Sequence, residues 1–125
     1  MVVAAQTMND KEFSVIYAKM LQSPGQLSVE EMIRINAFLR QVSDAMAREC
    51  YLVQRGVYAE CDNLLRDSIR RYFGNAYAQA WWRLSDTRPE IELPDWVDAA
   101  IYKTGADIDL ERIKAIQAEV SKGTQ

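Results

Sequence analysis

From Ser28 to Arg55 the chain contains neither proline nor glycine, and its apolar residues recur at steps of three and four. Met32, Ile35, Leu39, Val42, Met46 and Val53 fall on one face, and Ile33, Phe38, Ala45, Cys50 and Tyr51 widen it. Side chains at that spacing stack along one side of an α-helix. The stretch predicts a single helix of about 27 residues, some 40 Å long, with neighbours on more than one side. Its start is marked by Ser28-Val29-Glu30-Glu31, a capping box in which the Ser28 hydroxyl and the Glu31 carboxylate satisfy each other's exposed backbone N–H groups.

Shorter helices are predicted around this spine. Phe13, Ile16, Tyr17, Met20 and Leu21 space a first helix that opens at Asn9 or Asp10 and stops at Ser23-Pro24-Gly25. Val57, Cys61, Leu64, Leu65, Ser68, Ile69 and Tyr72 give a third, which Gly74 ends through a left-handed cap. Asn75 caps a fourth helix, with Tyr77, Ala80, Trp81 and Leu84 expected to face inward. Pro94 and Asp95 open a fifth, whose inner face is Trp96, Val97, Ala100 and Ile101. Leu110, Ile113, Ile116 and Val120 space a sixth before a polar tail from Ser121. No run alternates apolar and polar residues long enough for a strand. The expected fold is all-α: an irregular antiparallel bundle of about six helices around the long second helix. It forms one domain over 1–125, with an ordered core of about 9–120 and short polar tails, as suits a chain in the usual domain size range of about 100–150 residues.

Composition narrows function mainly by exclusion. Hydrophobic residues make up 49% and charged residues 26% of the chain, at a net charge of −3. A protein that binds through phosphate contacts normally carries a basic excess, so nucleic acid is an unfavoured partner. No apolar run reaches the roughly 18–20 residues of a membrane span, and residues 1–5 are too short for a signal-peptide core. Histidine is absent, which removes the commonest neutral-pH acid/base and metal ligand. No phosphate-cradling glycine loop or nucleophile elbow is present. Neither catalysis, a metal nor a cofactor is expected. The acidic residues Asp86, Glu90, Glu92, Asp95 and Asp98 lack the order of a calcium loop and read as a solvated connector.

Three groups remain as candidates. Cys50 and Cys61 lie on either side of Gly56, so a reversal there would bring them to similar heights. Two buried free thiols in a reducing compartment is the default reading, and a disulfide is the alternative. Arg66, Arg70 and Arg71, with Arg48 and Arg55 upstream, offer guanidinium forks for an anion or a partner's carboxylates. The bland alternative is surface pairing with Glu60, Asp62 and Asp67. Finally, Trp81 and Trp82 are adjacent and point about 100° apart on a helix. With Trp81 inward, Trp82 leans out as an anchor for a partner unless Trp96 or the Ile91 segment covers it.

Together, Phe13 to Leu21, Leu27-Ser28-Val29-Glu30-Glu31, Ile35-Asn36-Ala37-Phe38-Leu39-Arg40, Tyr51 with Gly56, Ala80-Trp81-Trp82 and Trp96-Val97-Asp98 resemble an uncharacterised family of small bacterial proteins. The resemblance covers roughly residues 13 to 98. It implies a bacterial, all-helical cytoplasmic domain, often preceded by one or two membrane-spanning helices and hence set at the cytoplasmic face of the inner membrane. It implies no catalytic or ligand-binding residue. The expected function is a non-enzymatic protein-interaction or regulatory module, with self-association as one form of it, and with Trp82, Arg66, Arg70, Arg71 and Trp96 as its surface. The alternatives are a small-ligand or nucleotide sensor with an interhelical pocket and, behind it, a nucleic-acid binder.

Overall fold

A computed structural model describes residues 11–54, 61–85, 93 and 96–123, with the side chains of 51–54 and 61 excepted. The described residues form six α-helices: α1 (Lys11–Gln22), α2 (Val29–Gln54), α3 (Cys61–Tyr72), α4 (Ala76–Leu84), α5 (Trp96–Lys103) and α6 (Ile108–Gly123). A 3₁₀ turn at Pro24–Gln26 joins α1 to α2, and no strand occurs among the described residues. The fold is all-α. The predicted starts of the first and third helices, at Asn9 and Val57, lie outside the described residues, as do Pro94 and Asp95.

α2 is the spine because its caps and its pattern agree. The Glu31 amide donates to Ser28 Oγ at 3.1 Å and the Ser28 amide to Glu31 Oε1 at 2.8 Å, closing the capping box. The Ser28 amide, followed by the Lys19 ammonium 2.9 Å away, holds the Glu31 carboxyl below its ordinary range. Ile35, Phe38, Leu39, Val42 and Met46 of α2 are all buried and meet Phe13, Ile16 and Met20 of α1. α3 adds Leu65 and Ile69, followed by Phe73 and by Val97 and Ile101 from α5. Phe38 is ringed by aromatic groups, with Phe13 at 5.2 Å, Tyr17 at 5.8 Å and Tyr72 at 5.7 Å between centroids. Such tilted and edge-on contacts add to what burial alone supplies. Two α2 residues placed in the inner stripe, Met32 and Ile33, are exposed instead. Met32 stands at the α4 side of the helix without being covered by it.

Two further corrections concern the helix ends. Gly74 does not occupy the left-handed region. It is glycine because a Cβ there would stand 2.5 Å from Asp109 Oδ1. The Gly74 carbonyl accepts the Asp109 amide at 3.0 Å, and Asp109 Oδ2 accepts from Asn75 Nδ2 at 2.9 Å. Asn75 also caps α4, its Oδ1 accepting the Ala78 amide at 2.8 Å. The start of α6 is thus bolted to the α3–α4 turn. Beyond that bolt α6 leaves the body, and Ile113, Ile116 and Val120, read as an inner stripe, are 45%, 57% and 62% exposed. The helix continues through Ser121 to Gly123, where a polar tail was expected.

Candidate functional site

Trp82 is a core residue, not a surface anchor. Its side chain is 3% exposed, lies edge-on to Phe73 at 5.6 Å, and donates its indole N–H to Asp98 Oδ1 at 2.7 Å. The orientation expected for the tryptophan pair is therefore reversed. α4 buries Ala78 and Trp82, while Tyr77, Ala80 and Trp81 are half-buried and Leu84 is exposed. The physical reason is that Trp82 finds both a T-shaped aromatic partner and a carboxylate for its N–H on α5, which a buried indole requires.

Trp81 instead lines a groove of about 680 Å³ between α2 and α4, with Met32, Asn36, Tyr77 and Leu84. The groove is fixed by the Tyr77 hydroxyl, which donates to Asn36 Oδ1 at 2.6 Å. Partial burial pushes the Tyr77 phenol above its ordinary value.

A second cleft, of about 530 Å³, lies between α3 and α5. Arg66 and Arg70, one turn apart on α3, form one wall, and Trp96, Lys103 and Thr104 form the other. Ile69, Ala99 and Ala100 supply an apolar floor with small side chains. The Arg66 guanidinium lies over the Trp96 ring, 4.3 Å from its centroid. Such a cation–π contact is worth about 0.5–1 kcal/mol at an exposed site. None of Arg66, Arg70 and Lys103 forms an ion pair among the described residues, and no acidic side chain is in the lining. The Arg70 backbone carbonyl accepts from Arg112 Nη2 of α6 at 3.1 Å. Thr104 is held by its hydroxyl, which donates to the Ala100 carbonyl at 2.9 Å, and by Gln79 Nε2, which donates to the Thr104 carbonyl at 2.8 Å.

The structure thus gathers Arg66, Arg70 and Trp96 into one cleft and separates them from the rest of the expected surface. Arg71 points elsewhere and pairs with Asp67 at 3.1 Å, and Trp82 is buried behind α5. Lys103 and Thr104 were not singled out in the sequence. Lys103 reads there as an ordinary cation in the last turn of a helix, where the macrodipole favours it.

Cys50 is buried and disulfide-bonded, and Cys61, at the start of α3, is the only other cysteine of the chain. The reading of Cys50 as a free thiol is corrected accordingly. α2 and α3 make the most extensive interhelical contact of the fold, so the chain returns along α2 after residue 60. Among the described residues no cluster of His, Cys, Asp or Glu is placed to hold a metal ion, and no helix is long and apolar enough to cross a membrane. Arg55, Glu60, Asp86, Glu90, Glu92 and Ile91 lie outside the described residues.

No family model, curated protein or solved structure matches this chain.

Proposed function

We propose that the protein is a non-enzymatic binding module whose ligand is a small anion held in the α3–α5 cleft. One observation carries this reading: three cationic side chains from two helices, Arg66, Arg70 and Lys103, converge on one concavity beside Trp96, with no acidic residue among the described residues of its lining. Two arginines at i and i+4, with no ion pair among the described residues, repel each other in the free protein, and an anion between them removes that repulsion. The cleft volume falls within the range of small-ligand sites, about 300–1,000 Å³. Calorimetric titration with inorganic pyrophosphate is the test. Saturable binding that is weakened about tenfold in Arg66→Ala supports the reading, and no heat at millimolar pyrophosphate contradicts it.

A second reading, a protein-interaction module with possible self-association, keeps an observation of its own. The groove beside Trp81 places Tyr77, Leu84 and Met32 at the surface, and aromatic residues with methionine are favoured in interface cores. Light scattering across a dilution series tests it, a concentration-dependent mass being the supporting result. The resemblance to the bacterial family supports a bacterial domain at the cytoplasmic face of a membrane. That placement requires the Cys50 disulfide to persist against a reducing thiol pool. Nucleic acid stays the weakest partner, because the net charge is −3 and long polyanions favour extended basic faces.

A further inference from the structure

We infer that the group recognised in the α3–α5 cleft is a terminal phosphoryl dianion carried on a small molecule; this rests on reading the cleft as an anion site. Three features of the cleft select phosphoryl over carboxylate. The first is charge: Arg66, Arg70 and Lys103 face the cavity, and none of the described residues lining it is acidic. A monocarboxylate would leave most of that charge uncompensated, whereas a phosphate monoester carries close to two negative charges near neutral pH. The second is shape. A carboxylate has two oxygens in one plane and is satisfied by a single guanidinium fork. A terminal phosphoryl group presents three oxygens around a tetrahedron, which suits cations arriving from α3 on one side and α5 on the other. The third is the place of Trp96. Its ring already carries the Arg66 guanidinium, 4.3 Å from the centroid, so that face is not available for a nucleobase to stack on. The tryptophan acts as a positioning residue that holds Arg66 in the lining of the cleft. Selection therefore falls on the phosphoryl group, and the remainder of the molecule rests on the Ile69, Ala99 and Ala100 floor.

Phenyl phosphate and benzoate, which share an aromatic body and differ in the anion, make the matched probes. Calorimetry on the full chain at pH 7.5 is expected to show phenyl phosphate binding at least about tenfold more tightly than benzoate. Arg66→Ala, Arg70→Ala and Lys103→Ala should each weaken phenyl phosphate roughly tenfold, the scale of one charge-assisted contact. Arg71→Ala, whose side chain pairs with Asp67, should leave it within about twofold. These side chains are exposed, so the variants fold, and circular dichroism checks that they have. Benzoate binding as tightly as phenyl phosphate overturns the phosphoryl assignment while the anion site stands. Neither probe binding overturns both. Retention on vesicles containing phosphatidic acid, with no binding of phenyl phosphate, overturns the small-molecule source.

Discussion

Arg66 of α3 and Trp96 of α5 are joined by a cation–π contact of 4.3 Å across the α3–α5 cleft. It ties the two walls of the cleft together at the point where the chain must also bring Lys103 and Arg70 within reach of one ligand. The contact explains why an arginine with no carboxylate partner among the described residues is nevertheless held in one direction.

Trp82 and Trp81 should respond very differently to truncation. Trp82→Ala removes a buried indole packed on Phe73 and leaves a large cavity, a change that costs about 3–5 kcal/mol. Trp81→Ala, at a half-buried groove position, should cost about half of that or less. Urea denaturation of both variants checks this, and equal losses would contradict the assignment of Trp82 to the core.

Cys50 should be unreactive toward iodoacetamide in the unreduced protein, even in denaturant, because its sulfur is in a disulfide. After reduction, two alkylations per chain are expected from the two cysteines of the sequence. Reduction should also lower stability by about 2–4 kcal/mol. Two reactive thiols in the purified, unreduced protein would overturn the bridge.

Gly74→Ala should destabilise the fold by about 1–3 kcal/mol, since its Cβ would stand 2.5 Å from Asp109 Oδ1 in an already closed junction. Gly25, in the 3₁₀ turn, has nothing within 4 Å of the corresponding position. Gly25→Ala should be neutral or stabilise by up to about 1 kcal/mol. Thermal melts of the pair give the comparison directly.

Asp109 gives the fold an acid-side pH dependence of unusual sign. The carboxyl is 6% exposed. Burial raises its pKa above the ordinary value against the opposing pull of Asn75, Arg112 and the Gly74 backbone. Its Oδ1 accepts no hydrogen bond, although Arg112 stands 3.9 Å away. Because the folded pKa exceeds the unfolded one, ionisation works against folding. The penalty is present in full above the folded value and disappears as pH falls through it toward the unfolded value. Asp109→Asn keeps an acceptor for Asn75 and removes the buried charge. It should match or exceed the wild type by up to about 1 kcal/mol at pH 7, with the difference shrinking toward pH 4. The same charge raises the Tyr17 phenol beyond the effect of its burial, so the variant should also ease Tyr17 ionisation in a spectrophotometric titration.

Much of the fold was legible because the responsible signals are local. Ser28 and Glu31 announce the start of α2, Asn75 that of α4, and the apolar steps of α2 and α3 locate their buried faces. α4 was misread because both of its faces are apolar. Tyr77, Ala80, Trp81 and Leu84 form one acceptable stripe, and Ala78 with Trp82 forms another. The choice between them is made by Asp98, sixteen positions further along, and by Phe73. α6 was misread for the opposite reason. Its amphipathic pattern is real, but the body of the domain ends near Asp109, and no described helix covers Ile113 or Val120. Of the cleft, the Arg66 and Arg70 wall followed from an i, i+4 spacing on one helix. Lys103 and Thr104 join it only through the packing of α5 on α3, a convergence that spacing along the chain does not encode.

Heteronuclear NMR on uniformly ¹⁵N-labelled protein, titrated with inorganic pyrophosphate, tests the central claim most directly because it locates the bound anion as well as detecting it. Saturable shifts confined to residues 63–70, 96–104 and the Trp96 indole, needing about tenfold more pyrophosphate in Arg70→Ala, are the predicted result. Shifts scattered over the basic surface, or concentrated at the Trp81 groove with the 63–70 amides unmoved, would contradict it.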